Sequence, residues 1–173
     1  MESMFRDLKA SEIDCRISQI NEKGLSLLLY KDARVDMDIL DETIGAMNWK
    51  RTHTRDNANC IIEIWDEEKK QWISKEDTGT ESFTEKEKGL ASDSFKRAGF
   101  NWGIGRELYT APFIYVPLTD KENQPNFNLT TKKDKYTTYT KFYVEAIQIT
   151  DKVITGLAIK NDKGKRVFVY KKG

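Results

Sequence analysis

The residues best suited to contact a ligand form a lysine-arginine pair followed by glycines, in the segment DSFKRAGFNWGIGRELY (93–109). On a helix, Lys96, Gly99 and Gly103 fall at i, i+3 and i+7 and share one face. Each glycine costs a helix about 1 kcal/mol against alanine, so two on one face suggest that something approaches the backbone closely. With Arg97 beside them a phosphate backbone is favoured, because lysine offers a mobile charge and arginine a planar fork for phosphate oxygens. The alternative is that a neighbouring helix or strand packs against the glycines, while Lys96 and Arg97 are ordinary surface charge.

Residue types that serve metal and acid–base catalysis are present, but their placement favours no catalytic site. Four acidic residues lie close together and could in principle hold Mg²⁺ in a nuclease: Asp36, Asp38, Asp41 and Glu42. We interpret them as solvated surface, since they mostly occupy the polar face of a helix whose other face is apolar. A single histidine, His53, makes a structural zinc site close to excluded and lies in a polar strand without a nucleophile motif. Gly103-Ile104-Gly105 lacks the Gly-Lys-Ser/Thr of a nucleotide-binding loop, so no catalytic residue, metal or cofactor is predicted.

The charge distribution indicates a polyanionic partner more clearly than the net charge, which is only +1. Residues 1–120 hold 17 Lys and Arg against 23 Asp and Glu, whereas residues 121–173 hold 12 against 5. An acidic body with a basic portion is typical of proteins that face a polyanion. The alternative, a solvated tail in which surface lysines have accumulated, fits these charges equally well.

The composition indicates a single globular domain over residues 1–173, located in a reducing cytoplasm. No apolar run reaches the roughly 18 residues that a membrane span needs, and residues 1–10 have no signal-peptide pattern. Cys15 and Cys60 are too few for a disulfide scaffold and are expected to be plain thiols.

Periodicity predicts an α+β fold in which an antiparallel β-sheet meander packs on helices in the order β-β-α-β-β-β-α, followed by further strands. Strands are predicted at 13–18, 25–30, 49–56, 60–66, 71–76, 112–118, 141–150, 153–160 and 165–170. Asp32 is expected to cap the first helix, and a capping box at Thr84-Glu85-Lys86-Glu87 to start the second, which runs to about residue 101. The polar residues 119–140 are expected to form a long loop before the basic C-terminal strands of 141–173.

Several short motifs, in order along the chain, resemble those of one protein family. ASDSFKRAGFNWGIGREL (91–108) resembles the signature helix of the Rad-fifty-two family of single-strand annealing proteins, in which a Lys-Arg pair precedes a glycine-containing turn. EIDCR (12–16) is similar to that family's first strand, and YKDARV (30–35) to the start of its first core helix. MNW (47–49) resembles the end of that helix, and EDTG (76–79) resembles a strand end. Order and spacing agree over roughly residues 10–110 and fit the compact phage-type members best.

This resemblance implies an annealing-protein-like core over residues 1–118 that binds and anneals single-stranded DNA in homologous recombination and DNA repair, without ATP. It further implies a ring or helical filament whose groove holds the DNA backbone with the bases turned outward. The matching motifs give four DNA contacts and two secondary candidates: Lys96, Arg97, Arg16 and Tyr30, then Arg55 and Arg106. Arg55 is expected to share a strand face with Arg51 and His53. Expected partners are single-stranded DNA, further copies of the chain, and a single-strand binding protein or exonuclease, in the host cytoplasm if the chain is phage-encoded.

Two other functions stay open from the sequence. One is an oligomeric structural or interaction protein that does not bind DNA, and the other is a metal-dependent DNA-processing enzyme. The four tryptophans do not separate these functions, because Trp49, Trp65, Trp72 and Trp102 suit a core or a subunit contact as well as a stacking surface.

Overall fold

The computed structural model describes residues 4–80 and 86–173, and the side chains of these residues except 86–88. The described residues form an α+β structure with two helices and antiparallel sheets, which confirms the predicted class. The elements are β1 Ile13–Ile20, β2 Gly24–Lys31, α1 Ala33–Ile44, β3 Trp49–Thr54, β4 Asn59–Asp66, β5 Gln71–Thr78, α2 Lys86–Asn101, β6 Ile114–Pro117, β7 Thr130–Lys132, β8 Lys135–Thr137, β9 Phe142–Thr150, β10 Val153–Asn161 and β11 Arg166–Lys171. The predicted capping box at Thr84-Glu85-Lys86-Glu87 lies outside the residues described in full.

The chain divides into two compact units. The first unit consists of Met1–Leu8 and Lys31–Arg106, and the second of Lys9–Tyr30 and Glu107–Gly173. By sequence the first unit carries 14 Lys and Arg against 18 Asp and Glu, and the second carries 15 against 10. The second unit is therefore the basic one, with a net charge of +5 against −4 for the first. The expectation of a single domain over residues 1–173 stays a prediction.

In the first unit, helix α2 packs on one face of a three-stranded sheet. Strands β3, β4 and β5 form an antiparallel meander in sequence order. Alternate residues of β4, namely Cys60, Ile62 and Ile64, are buried, as are Phe95 and Ala98 of α2, which contacts β4 and β5. The period of two in the strand and of three to four in the helix brings these side chains into one core.

Helix α1 packs on α2 and brings a carboxylate into the interior of the first unit. Asp32 caps α1 as predicted, since its side chain accepts a hydrogen bond from Arg34 N at 2.7 Å. Asp36, one turn further, is fully buried and lies 2.6 Å from the Nζ of Lys31, which is also buried. The interpretation of Asp36 as solvated surface is therefore wrong, because a buried cation at the end of β2 pairs with it. The interpretation holds for Asp38, which is exposed.

The ammonium group of Lys31 joins three parts of the first unit. Its Nζ donates to Asp36 Oδ2 at 2.6 Å, to Ile104 O at 2.9 Å and to Lys96 O at 3.3 Å. It also lies 4.0 Å from the ring centroid of Phe100. These bonds match the three donors of an ammonium group, so the charge is buried with its hydrogen-bonding capacity used. Burial nevertheless raises the pKa of Asp36 to about 6, against the opposing attraction of Lys31.

The glycines after Lys96 serve this arrangement and the end of α2. A Cβ on Gly99 would overlap Asp36 Oδ2, so only glycine lets the buried pair lie against the helix. Gly103 was predicted to continue that helical face, but α2 ends at Asn101 and Gly103 has a φ of 92°. Ile104 N donates to Gly99 O and Gly103 N to Phe100 O, the two bonds of a Schellman motif. The glycine at this position ends the helix instead of extending its face.

The second unit contains a six-stranded antiparallel sheet in the order β11-β10-β9-β1-β2-β6. Its edge strands β6 and β11 contact each other, so the sheet is nearly closed into a barrel. Leu25 and Leu27 of β2 and Ile114 and Val116 of β6 point into the core, and they alternate with residues on the outer face. Successive residues of one strand therefore point alternately into the core and to the outer surface of the sheet.

The predicted long loop of residues 119–140 has structure of its own. Strands β7 and β8 form a small hairpin, and the residues at its turn, Lys133 and Asp134, have φ values of 51° and 61°. Two successive residues at positive φ make the tight turn that suits a two-residue hairpin. Asn126 and Phe127 are buried, which anchors the segment to the second unit. The sequence prediction missed this hairpin because neither turn residue is glycine or asparagine.

Replacement of Asp36 by asparagine tests the buried pair. Asp36→Asn is expected to lower the free energy of unfolding by roughly 3–5 kcal/mol, because it leaves the Lys31 charge buried opposite a neutral amide. Lys31→Met combined with Asp36→Leu removes both charges and is expected to recover most of that loss. The matched control Asp38→Asn, on the exposed side of α1, should change stability by less than about 0.5 kcal/mol. Denaturant unfolding at pH 7 measures all three, and wild-type stability in Asp36→Asn would contradict this role.

Candidate nucleic-acid interface

Arg16 and Tyr30, predicted from separate motifs, lie side by side in the second unit. Arg16 is exposed on β1, and Tyr30 is half-buried on the neighbouring strand β2. The guanidinium carbon of Arg16 lies 4.7 Å from the centroid of the Tyr30 ring, within the range of a cation–π contact. The contact orients a charged fork and an aromatic face on the same outer surface of the sheet. Such a pair can bind a phosphate and stack on a base or sugar.

Lys96 and Arg97 lie on α2 in the first unit, both half-buried. Arg97 Nε donates to Asp93 Oδ2 at 2.9 Å, one helical turn earlier. Although burial alone would raise the pKa of Asp93, the Thr80 N–H and Arg97 hold it below its usual value. The backbone oxygen of Lys96 accepts from Lys31, so this residue contributes its carbonyl to the interior.

The structure decides between the two interpretations of the glycine face. The space beside Gly99 is occupied by Asp36, and the stem of Lys31 lies against Gly105. Close packing within the first unit thus accounts for the glycines, and a phosphate backbone is not needed to explain them. An interaction of α2 with a polyanion would depend on Lys96 and Arg97 themselves.

The two secondary candidates are exposed and lie at element ends in the first unit. Arg55 was expected on the face of β3, but the strand ends at Thr54 and Arg55 has a φ of 53° in the turn that follows. The expectation is wrong because residues 55–57 all have positive φ and reverse the chain. Arg106 donates from Nε to Phe100 O at 3.0 Å and from Nη2 to Asn101 O at 2.9 Å, which satisfies carbonyls at the end of α2.

The single histidine belongs to a structural network beneath α2. Arg51 Nε donates to His53 Nε2 at 2.8 Å, and Arg51 also lies 4.2 Å from the ring of Phe95. Since arginine is always protonated, His53 Nε2 must carry a lone pair and Nδ1 the proton. Nδ1 then donates to Ser94 Oγ, 3.3 Å away, and that buried hydroxyl donates in turn to Asn57 O at 2.9 Å. A catalytic Ser-His pair needs a carboxylate where Arg51 lies, so this trio does not activate a nucleophile.

Burial and the Arg51 charge both lower the pKa of His53 below its ordinary value of 6.5. The two thiols are shifted in the opposite direction. Burial raises the pKa of Cys15 to about 12, with help from Asp14, and raises that of Cys60 to about 11. Both are free cysteines, and at neutral pH they stay protonated and poorly nucleophilic.

Sequence reasoning missed an aromatic component of the second unit's outer face. Phe113 and Tyr115 are exposed and precede or lie on β6, and Tyr143 is exposed on β9. The signal was the alternation of aromatic with aliphatic residues in PFIYVP (112–117). Because both sets are apolar, that alternation indicates a strand without showing which set faces solvent.

A groove lies on the same unit between β1 and β9. The two strands meet at the pair Asp14 and Tyr143, and a groove of about 440 Å³ opens beside it. Arg16, Lys141 and Tyr143 are among its lining residues. The groove therefore places a second cation, Lys141, and a second tyrosine, Tyr143, next to the Arg16–Tyr30 contact.

In the part of the chain that the structure describes, no three His, Cys, Asp or Glu side chains converge on a common metal position. Within that same part, neither helix has the length and apolar character needed to cross a membrane.

Comparison of the chain with protein-family models, with curated proteins and with solved structures finds no match.

The histidine network predicts a simple titration. Because the chain has one histidine, its ring protons are identified by NMR without further assignment, and the pKa should lie below 6.5. A lowered folded-state pKa favours the neutral ring, so the stability linked to His53 is present above pH 6.5 and is lost as the pH falls through the folded pKa. Arg51→Gln should raise the pKa of His53, whereas Arg34→Gln, at an exposed site, should leave it unchanged. A His53 pKa of 6.5 or higher in the wild type would contradict the network.

Proposed function

We propose that the protein binds single-stranded DNA and promotes the annealing of complementary strands, without hydrolysing a nucleotide. The observation that carries this proposal is the Arg16–Tyr30 contact on an exposed sheet face. Its two members were predicted as DNA contacts from separate motifs of the Rad-fifty-two resemblance, and their proximity supports that assignment. An arginine stacked on a tyrosine suits single strands, because base and phosphate are both accessible there.

The net charge of the second unit supports the Arg16–Tyr30 part of the proposal. Arg16 and Tyr30 belong to the unit with a net charge of +5, while the first unit, with −4, carries Lys96 and Arg97 on α2. Neutralising phosphates with lysine and arginine releases counterions, which supplies affinity without sequence preference. A protein that anneals any complementary pair needs that lack of preference.

The proposed mechanism is a lowering of the kinetic barrier to pairing. Annealing is downhill once two complementary strands are held extended, so no energy source is required. Arg16, Lys96 and Arg97 would contact the backbone and leave bases available for a second strand, and Tyr30 would support a sugar or base. The annealing-protein-like core of residues 1–118 and a ring or filament of copies belong to this proposal. So do a role in recombination and repair and a cytoplasmic location, which is the host cytoplasm if the chain is phage-encoded.

Removal of the two α2 cations tests the proposal. Lys96→Ala with Arg97→Ala is expected to weaken binding of a single-stranded oligonucleotide and to slow annealing, with the oligomer intact. The slope of log K against log salt should fall by about 1.4, since two phosphate contacts are lost at about 0.7 each. The fold should survive, because Lys96 contacts Lys31 through its backbone and the half-buried Arg97–Asp93 pair, one turn apart on the helix, is worth roughly 0.3–0.5 kcal/mol.

Lys69→Ala with Lys70→Ala is the matched control for that variant. It also removes two adjacent positive charges from the first unit, at exposed positions in the turn between β4 and β5. Its affinity should stay near that of the wild type. Equal losses in the two double variants would show that only net charge matters, and wild-type affinity at Lys96→Ala/Arg97→Ala would exclude α2 from the interface.

A further inference from the structure

The outer face of strands β1, β2 and β6 in the second unit is unusually rich in exposed apolar and aromatic side chains. Phe113 is 79% exposed, Leu28 48% and Tyr115 41%. In β2, Leu28 and Tyr30 alternate with the buried Leu27 and therefore share the outer face. Ser26 of β2 pairs with Tyr115 of β6, which extends the same face across the neighbouring strand.

Two of these rings lie against each other, and one of them also lies against the sheet. The ring centroids of Phe113 and Tyr115 are 6.5 Å apart with an angle of 13° between the ring planes. A Cβ on Gly24 would overlap the phenol of Tyr115, so the glycine lets that ring lie across β2. The Tyr115 ring is thus held in position by β2, and both rings present area to solvent. Preorganised rings of this kind bind planar groups without a large loss of side-chain entropy.

The aromatic face continues into the charged residues of the same unit. Tyr30 lies two residues after Leu28, and the guanidinium carbon of Arg16 lies 4.7 Å from the centroid of the Tyr30 ring. Beyond Arg16 lies the groove between β1 and β9, which Lys141 and Tyr143 also line. Asp14 lies on this face as well, and its carboxylate is exposed. The surface therefore runs from stacked rings at β6 to a pair of cations at the groove.

Charge favours a nucleic acid over a second copy of the chain as the occupant. Joining two copies through this face would bring together two units that each carry a net charge of +5. A single strand offers the opposite charge, and its unstacked bases offer planar π-faces. Duplex DNA offers no such faces, because its bases are stacked on each other.

We propose that this outer face, formed by Tyr30, Leu28, Phe113 and Tyr115 beside Arg16, is a stacking surface for the bases of single-stranded DNA. The inference rests on the proposed function and deepens it. The α2 cations contact phosphates whatever the bases are, whereas this surface makes the bases themselves contribute to affinity. It selects unpaired over paired segments and tolerates any sequence, because every base has a π-face. Stacking engages that face only, so the hydrogen-bonding edge of each base stays available for a second strand.

Comparison of two oligonucleotide probes tests the stacking surface. Oligothymidylate and an abasic oligomer of the same length carry the same phosphates, so their difference in affinity for the wild-type protein measures the contribution of the bases. The wild type should bind oligothymidylate at least tenfold more tightly. Phe113→Ala should weaken oligothymidylate binding roughly tenfold, as expected for the loss of one base–aromatic contact, and leave abasic binding unchanged. Leu28→Ser, a second exposed position on the face, should weaken it in the same selective way.

Met47→Ala serves as the control, since Met47 is an 89% exposed apolar residue of the first unit. It should bind both probes as the wild type does. Equal affinity of the wild type for both probes, with no effect of Phe113→Ala, would overturn the stacking surface while leaving backbone binding in place. Failure of the wild type to bind either probe would contradict the proposed function itself. Dissociation of an oligomer in Phe113→Ala, with binding weakened equally for both probes, would assign the face to a second copy and overturn the inference.

Discussion

The first unit depends on a positive charge buried in its interior. Lys31 could not be buried alone, because removing an ammonium group from water costs several kcal/mol. Asp36, two backbone carbonyls and the ring of Phe100 together compensate that cost. Because these partners come from α1, α2 and the turn after α2, the three segments have one arrangement in which the charge is satisfied. The direction in which α2 presents Lys96 and Arg97 follows from that arrangement.

The two groups of cations occur in different physical settings. On α2, Lys96 and Arg97 lie beside a helix face that the buried pair has already filled, so they offer charge without a cavity. On the second unit's sheet, Arg16 lies beside exposed rings and a groove, so charge and shape occur together. This difference explains why α2 suits contacts to the DNA backbone, and the sheet suits contacts that also involve the bases.

Local signals in the sequence predicted much of the fold but little of the pairing between distant residues. The alternation of apolar and polar residues predicted strands, and Asp32 was correctly predicted to cap α1. Both signals depend only on residues that are close together in the sequence. Asp36 was misassigned because its helical position indicates a polar surface, whereas its partner Lys31 lies on the preceding strand. The glycines after Lys96 were identified as sites of close approach, yet only three-dimensional contacts show that the approaching group is Asp36. The aromatic face was missed because an apolar strand gives no indication of which side is outermost.

The proposed function requires that single-stranded DNA contact the sheet face around Arg16 and Tyr30. Photo-cross-linking of the wild-type protein to an oligonucleotide containing 5-iodouracil, followed by mass spectrometry, identifies the residues that the DNA contacts. We expect adducts on the outer face of the second unit, at Tyr30, Phe113 or Tyr115. The Trp65–Trp72 ring pair on the first unit's sheet provides an internal comparison. Adducts confined to those tryptophans, with none on the outer face of the second unit, would show that DNA does not bind around Arg16 and Tyr30.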